Sequence, residues 1–269
     1  MEQKLPGVYT AKRKDHSIYY RASITFRDKH ISLGSYDIAQ NAHLAYKEAQ
    51  KLINTASLSI DDYTESSFLS FEKWVCLINF RDNRFYFSTP IYIKQKFFLY
   101  YLSPSYVLKF DVDDLFYYSS HKIMRRGGHL FVADYGMQVN ILNRYGIKNY
   151  AVEGKDYRFI NGDSTDFRYE NIEILNHFHG ITHVTSPDNR IKYKVRIHVK
   201  SNYVVGTYST ETEAAIAYNK AVDILKRNGI DRNYSLNYLE GLSPAAYADI
   251  YTKLKISPKI MELTSPNNQ

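Results

Sequence analysis

The clearest pattern along the chain is a strict alternation of apolar and polar positions in two short stretches, one near each end. Tyr20, Ala22, Ile24 and Phe26 alternate with Tyr19, Arg21, Ser23, Thr25 and Arg27; Tyr193, Val195, Ile197 and Val199 alternate with Lys194, Arg196, His198 and Lys200. A period of two describes a strand with one buried face and one wet face. Each stretch precedes a run at helical spacing: Ala42, Ala45, Tyr46 and Ala49 after a polar start at Asp37, and Ala214, Ala217, Tyr218 and Ala221 after Ser209-Thr210. The spacing predicts helices over 38–52 and 211–226, the second opened by a capping box from Thr210 to Glu213. Small residues on the apolar stripe let each helix lie close on its sheet, which leaves the charged strand face to solvent.

The two segments repeat one another. Gly7-Val8, Tyr20 to Ile24, Leu33-Gly34-Ser35-Tyr36 and Ala42 to Tyr46 recur in order as Gly180-Ile181, Tyr193 to Ile197, Val205-Gly206-Thr207-Tyr208 and Ala214 to Tyr218. The offset is 173 residues early and 172 late, so one residue is lost between the second and third strands. This order and spacing read as a duplicated unit of three short strands and a helix. The expected fold class is α+β. Terminal units of a three-stranded antiparallel sheet plus helix occupy 1–60 and 179–256, a central α+β domain occupies 61–178, and a polar tail from 257 to 269 frays.

Charge sharpens the picture. The net charge of the 269 residues is +7. Residues 1–60 hold nine Lys and Arg against five Asp and Glu, residues 61–178 fourteen against fifteen, and residues 179–260 twelve against seven. Cations therefore collect in the terminal segments, where they attract phosphate backbones or acidic surfaces. In the second segment Lys194, Arg196, His198 and Lys200 form a stripe with no acidic residue among them. In the first, Arg21, Arg27 and Lys29 share a face with Ser23 and Thr25. A short antiparallel ribbon fits the DNA major groove, so Arg196 and His198 are expected at base edges, and Lys194, Lys200, Arg27 and Lys29 on phosphates.

The rest of the composition narrows the class. No apolar run approaches the roughly 18–20 residues needed to span a bilayer. Met1 to Gly7 contain no apolar signal core. The single cysteine, Cys76, excludes an internal disulfide and a multi-cysteine zinc site, and between Val75 and Leu77 it reads as a small buried hydrophobe. A cytoplasmic protein without membrane contact is expected, associated with the nucleoid if the cell is bacterial.

The Gly-Val opening, the alternating second strand, Leu33-Gly34-Ser35-Tyr36 and the Ala-rich helix with Ala45-Tyr46 resemble the apetala-two/ethylene-response-factor DNA-binding domain, over about 50 residues at each end. In that family the three-stranded sheet enters the major groove. The resemblance implies contact positions at Tyr9, Ser23, Thr25, His30 and Ser32 in the first copy, and at Thr182, Arg196, His198, Asn202 and Val204 in the second. The first copy carries smaller polar groups where the plant family has several Arg and Trp contacts, so the family's sequence preference does not transfer.

Phe159-Ile160-Asn161-Gly162-Asp163 with Asp166-Phe167-Arg168-Tyr169-Glu170-Asn171-Ile172 resembles the end of an HNH homing-type endonuclease motif. HNH cleavage needs a histidine base, and a carboxylate plus an amide on a divalent metal. By the resemblance, Arg158 and Phe159 stand where the family has Asp-His, Asn143 stands at an earlier family histidine, and Asn171 remains at the late Asn, one metal ligand without partners. These substitutions predict a scaffold without its chemistry and no cofactor. His177, His179 and His183 could imitate a metal cluster, but their place beside the second unit favours DNA or solvent contact. Asp163 and Asp166 are expected to fix a turn.

Aromatics crowd residues 68–118, as in Phe85-Tyr86-Phe87 and Phe97 to Tyr101, with breaks at Thr89-Pro90 and Ser103-Pro104. They predict a small α+β core, and they also admit a partner surface or a homodimer. The function expected is sequence-specific binding of double-stranded DNA without cleavage, as a transcriptional regulator derived from a homing-type endonuclease. Two alternatives stay open: an active HNH endonuclease of a mobile element, and an interaction protein whose basic faces bind an acidic protein partner.

Overall fold

The computed structural model describes residues 5–149 and 151–264. The protein is α+β, built from small sheets and helices. It divides into two compact units. The first takes in the described residues up to 149 together with Phe159–Glu173; the second takes in Ala151–Arg158 and the described residues from Ile174 onward. Among the described residues no helix is long and apolar enough to cross a membrane.

The first unit opens with an antiparallel sheet of β1 (Val8–Lys12), β2 (Ile18–Phe26) and β3 (Lys29–Tyr36), followed by helix α1 (Ala39–Asn54). Ala22, Ile24, Ile31 and Leu33 point inward against Ala42, Ala45, Ala49 and Leu52, and all eight are buried. Helix α2 (Phe71–Asn83), capped by Ser70 accepting from the Lys73 amide, adds Trp74, Leu77, Ile78 and Phe80 to this core. Packing is thus continuous past residue 60, where the sequence suggested a break, because the sheet and its Ala-rich helix leave apolar flanks that α2 covers.

Beyond α2 lie an antiparallel sheet of β4 (Ile91–Ile93), β5 (Phe97–Ser103) and β6 (Tyr106–Asp111), helix α3 (Leu115–Ser120), and a sheet of β7 (Ile123–Arg126), β8 (His129–Asp134) and β9 (Met137–Asn140). Phe98, Tyr100, Phe110 and Tyr118 are fully buried, and the Phe110 and Tyr118 ring centroids lie 4.5 Å apart. These aromatics are core. Cys76 is buried with its thiol donating to the Thr89 carbonyl at 3.3 Å, and burial pushes that thiol up to about 12.

The chain passes between the units within β10 (Tyr157–Phe159) and β11 (Ile172–Ile174). The second unit has an antiparallel sheet of β12 (Ile181–Thr185), β13 (Ile191–His198) and β14 (Asn202–Tyr208), then α4 (Glu211–Arg227), α5 (Pro244–Lys253) and α6 (Pro258–Met261). Ile181, Val195, Ile197 and Val205 pack on Ala214, Ala217 and Ala221. The capping box of Thr210 and Glu213 is formed. The expectation of a frayed tail from Ser257 is corrected over the described part: Ile260 is fully buried against α4, and Asn228 donates to the Met261 and Leu263 carbonyls. A polar composition hid the two isoleucines, Ile256 and Ile260, that anchor this stretch.

The two terminal sheets agree in detail. Ala22 faces Gly34 while Ser23 faces Ser32, and Val195 faces Gly206 while Arg196 faces Val204. Each third strand therefore bulges at one buried residue, Leu33 or Val205. The one-residue difference in offset falls in the hairpin. Between the equivalent pairs Thr25–His30 and His198–Asn202 lie four residues in the first copy, with Arg27 and Asp28 at φ 48° and 61° as its two-residue turn, and three in the second, Val199 to Ser201. Gly7 and Gly180 explain a second shared pattern. At φ +74° and +72°, a Cβ on them would lie 2.2 Å from the Tyr46 ring and 2.5 Å from the Tyr218 ring. The opening glycine and the Ala-Tyr of the helix are thus two halves of one contact. Tyr36 and Tyr208 behave alike as well, each donating its hydroxyl to a later carbonyl, Phe68 at 2.7 Å and Lys255 at 2.9 Å.

Candidate nucleic-acid interface

In an antiparallel ladder, directly opposed residues share a face. On the β12–β14 sheet this puts Thr182, Lys194 and Thr207 in one row, Arg196 beside Val204, and His198 beside Asn202, all on the side away from α4. Arg196, His198, Asn202, Val204, Thr182 and Thr207 are exposed, and Lys194 is half-buried. His198 Nδ1 and Asn202 Oδ1 are 3.1 Å apart, which orients both side chains. Lys200 is exposed in the hairpin connection. The three strands carry no Asp or Glu, and among the described residues Lys194, Arg196 and Lys200 join no ion pair. Lys192 and Thr207 belong to this face too; the strand register, invisible in a single segment, is the signal that finds them.

The first sheet presents a different face. Tyr9, Arg21 and Ser35 form one row, Ser23 opposes Ser32, and Thr25 opposes His30 with 3.4 Å between Oγ1 and Nδ1. Tyr9, Arg21, Thr25, His30 and Ser32 are exposed. Ser23 is not: it is 7% exposed, and its hydroxyl has no hydrogen-bond partner among the described residues. Arg27 also departs from the expectation of a free phosphate contact. Its guanidinium donates to the Phe80 carbonyl at 2.7 Å and lies over the Phe26 and Phe80 rings. The tight turn brings it to the C-terminal end of α2, where backbone carbonyls attract a cation. Lys29 Nζ sits 5.2 Å from the centroid of the Tyr86 ring, which follows α2 in the chain. Two of the cations assigned to this face are thus engaged within the protein.

The HNH-like residues form a turn whose tip, Asn161 to Ser164, is exposed and whose base, Phe159, Asp166, Phe167 and Asn171, is buried. Asn171 is 3% exposed; its Oδ1 accepts from the Asn161 amide at 2.8 Å, and its Nδ2 donates to the Asp166 carbonyl at 2.8 Å and the Asp163 carbonyl at 3.3 Å. Both ends of the Asn171 amide therefore hold the backbone of this turn. Asp163 Oδ1 accepts from the Thr165 amide and hydroxyl. Asp166 accepts from Arg168 and Asn161, with Lys109 3.5 Å away. Burial works against the charged carboxyl of Asp166, but the Arg168 bonds and the nearby Lys109 outweigh it and hold Asp166 below the usual carboxylate range. Phe159 is buried edge-on to Phe167, while Arg158 and Asn143 are exposed. Near the second sheet, His183 meets the Tyr193 ring and lies 3.9 Å from Glu211, and the His179 backbone bonds to Asn237. Among the described residues no three His, Cys, Asp or Glu side chains group to hold a metal ion. No protein-family model, curated protein or solved structure matches the chain.

Proposed function

We propose that this protein binds double-stranded DNA through the outward faces of its two terminal three-stranded sheets, without cleaving it, as a regulator of transcription. In this reading each sheet and its helix form a reader of the apetala-two type, and the turn around Asn171 is an HNH-like scaffold that has lost its chemistry. The observation that carries the reading is the outward face of β12–β14, where Lys194, Arg196 and His198 line one strand with no carboxylate on the sheet. Neighbouring cations without counter-charges repel one another, and a polyanion relieves that repulsion as it releases its own condensed counterions. The polar atoms suit base edges: the Arg196 fork fits O6 and N7 of guanine, the Asn202 amide fits adenine, and exposed Val204 fits a thymine methyl.

Duplex binding measured across a salt series tests the proposal. Each phosphate neutralised contributes a slope of about −0.9 in log affinity against log salt, so affinity is expected to fall steeply. A flat response would instead favour an acidic protein partner. Nicking of supercoiled plasmid in magnesium or manganese would overturn the non-cleaving part.

A further inference from the structure

The β7–β8 hairpin ends in Arg125-Arg126-Gly127-Gly128-His129, three cationic or protonatable side chains in five residues of a central stretch whose other residues carry twelve Lys and Arg against fifteen Asp and Glu. Gly127 and Gly128 turn the chain at φ 56° and 83°, with nothing within 4 Å of a Cβ built on either, so the two glycines of the turn are uncovered. Arg126 and His129 face each other across the ladder and both are exposed. Arg125, also exposed, lies over the Tyr106 ring at 4.5 Å, which stiffens its position and leaves its charge uncancelled. Five other arginines of this unit are already engaged, Arg144 by Asp114, Arg168 by Asp166 and Glu170, Arg81 by Asp82, Arg13 by Asp37 and Arg27 by the Phe80 carbonyl, while Arg21 and Arg84 join no ion pair among the described residues. Among the described residues, Arg125 and Arg126 join no ion pair.

We infer that this hairpin tip is a further DNA contact, in which Arg125 and Arg126 grip the phosphate backbone of a duplex. The inference rests on the DNA-binding reading above. It assigns to the central stretch a task separate from the silent HNH-like turn. A slender tip without a bulky side chain reaches a backbone easily, and two arginines on phosphates add affinity without sequence information.

The test compares the full chain with Arg125→Gln/Arg126→Gln, and with Lys94→Gln/Lys96→Gln as a control of equal charge change. Fluorescence anisotropy on one duplex gives the salt slope, and hydroxyl-radical footprinting gives the extent of protection. The tip variant is expected to flatten the slope by roughly 1–2, about one per arginine. It should also remove part of the footprint and leave selectivity among duplexes as in the parent, while the lysine control keeps the parent slope and footprint. A tip variant with the parent's slope and footprint, or with the same change as the control, overturns the inference while DNA binding itself stands. A parent chain that binds no duplex overturns both.

Discussion

At the residue scale, two arginines that look alike in the sequence take opposite roles. Arg196 alternates outward on β13 with no side-chain partner among the described residues, and Arg27 is bound to the end of α2. Arg196→Ala is therefore expected to cost about 1–3 kcal/mol of DNA affinity and to relax selectivity at one base pair, read by competition with permuted duplexes. Arg27→Ala is expected to leave selectivity unchanged and to lower folding stability by about 1 kcal/mol in urea, the net value of one hydrogen bond. Tyr36 and Tyr208 contribute to an alkaline limit together with the more deeply buried Tyr100, Tyr118 and Tyr145, whose hydroxyls burial also pushes up. Burial pushes the hydroxyls of Tyr36 and Tyr208 up to about 12 from the usual 10. In the unfolded chain they ionise first, so their contribution is intact below about pH 10 and is lost as pH rises through the folded value. Circular dichroism in an alkaline titration should show unfolding between about pH 10 and 12, and Tyr36→Phe/Tyr208→Phe should narrow the loss across that window. Alternation made Arg196 legible. The fate of Arg27 was not, because its acceptor lies 53 residues along the chain.

At the scale of elements, local rules carried far. The helices expected over 38–52 and 211–226 span Ala39–Asn54 and Glu211–Arg227, since alanine spacing and the Thr210 capping box are properties of contiguous residues. Asp37, by contrast, does not cap α1; Ile38 occupies the N-cap without a side-chain bond, and Asp37 pairs with Arg13 at 2.6 Å. The recurring glycines gain a reason only from contact. A Cβ at Gly180 would lie 2.4 Å from the Arg196 carbonyl oxygen, in a left-handed conformation. Gly180→Ala is therefore expected to destabilise the second unit by about 2–4 kcal/mol, combining backbone strain with a forced shift of β13. Because that carbonyl belongs to Arg196, DNA affinity of the folded fraction should fall too. Denaturant unfolding followed by binding on the same sample checks both. An unchanged midpoint would mean that the glycine and the Tyr218 ring are not in contact in solution.

At the scale of the molecule, the question is whether two faces act on one duplex. Linked binders gain about 10²–10⁴ in avidity when both can engage. Replacing Arg21, Thr25 and His30 together by Ala is expected to lower affinity for a long duplex by about 10²-fold or more, and to leave affinity for a short duplex holding only the β12–β14 site unchanged. Equal affinities on the long duplex would mean that the β12–β14 sheet binds alone. The faces are unequal in any case. The second displays a free cationic strand, whereas the first has Ser23 buried and Arg27 and Lys29 turned toward α2 and Tyr86.

By itself the sequence determined what depends on neighbours along the chain: the α+β class, the strand alternation, the alanine stripes, the repeat with its one-residue slip, and the lack of a histidine at Phe159. Tertiary structure alone decided which polar groups remain available. The Phe80 carbonyl, 53 residues along, engages the exposed Arg27, the turn around residues 161–171 folds back on Asn171 and Asp166, and Arg196, Arg125 and Arg126 stay exposed without an ion pair among the described residues. The reason is that a side chain's availability is set by the carbonyls, carboxylates and rings brought against it on folding, and those come from anywhere in the chain.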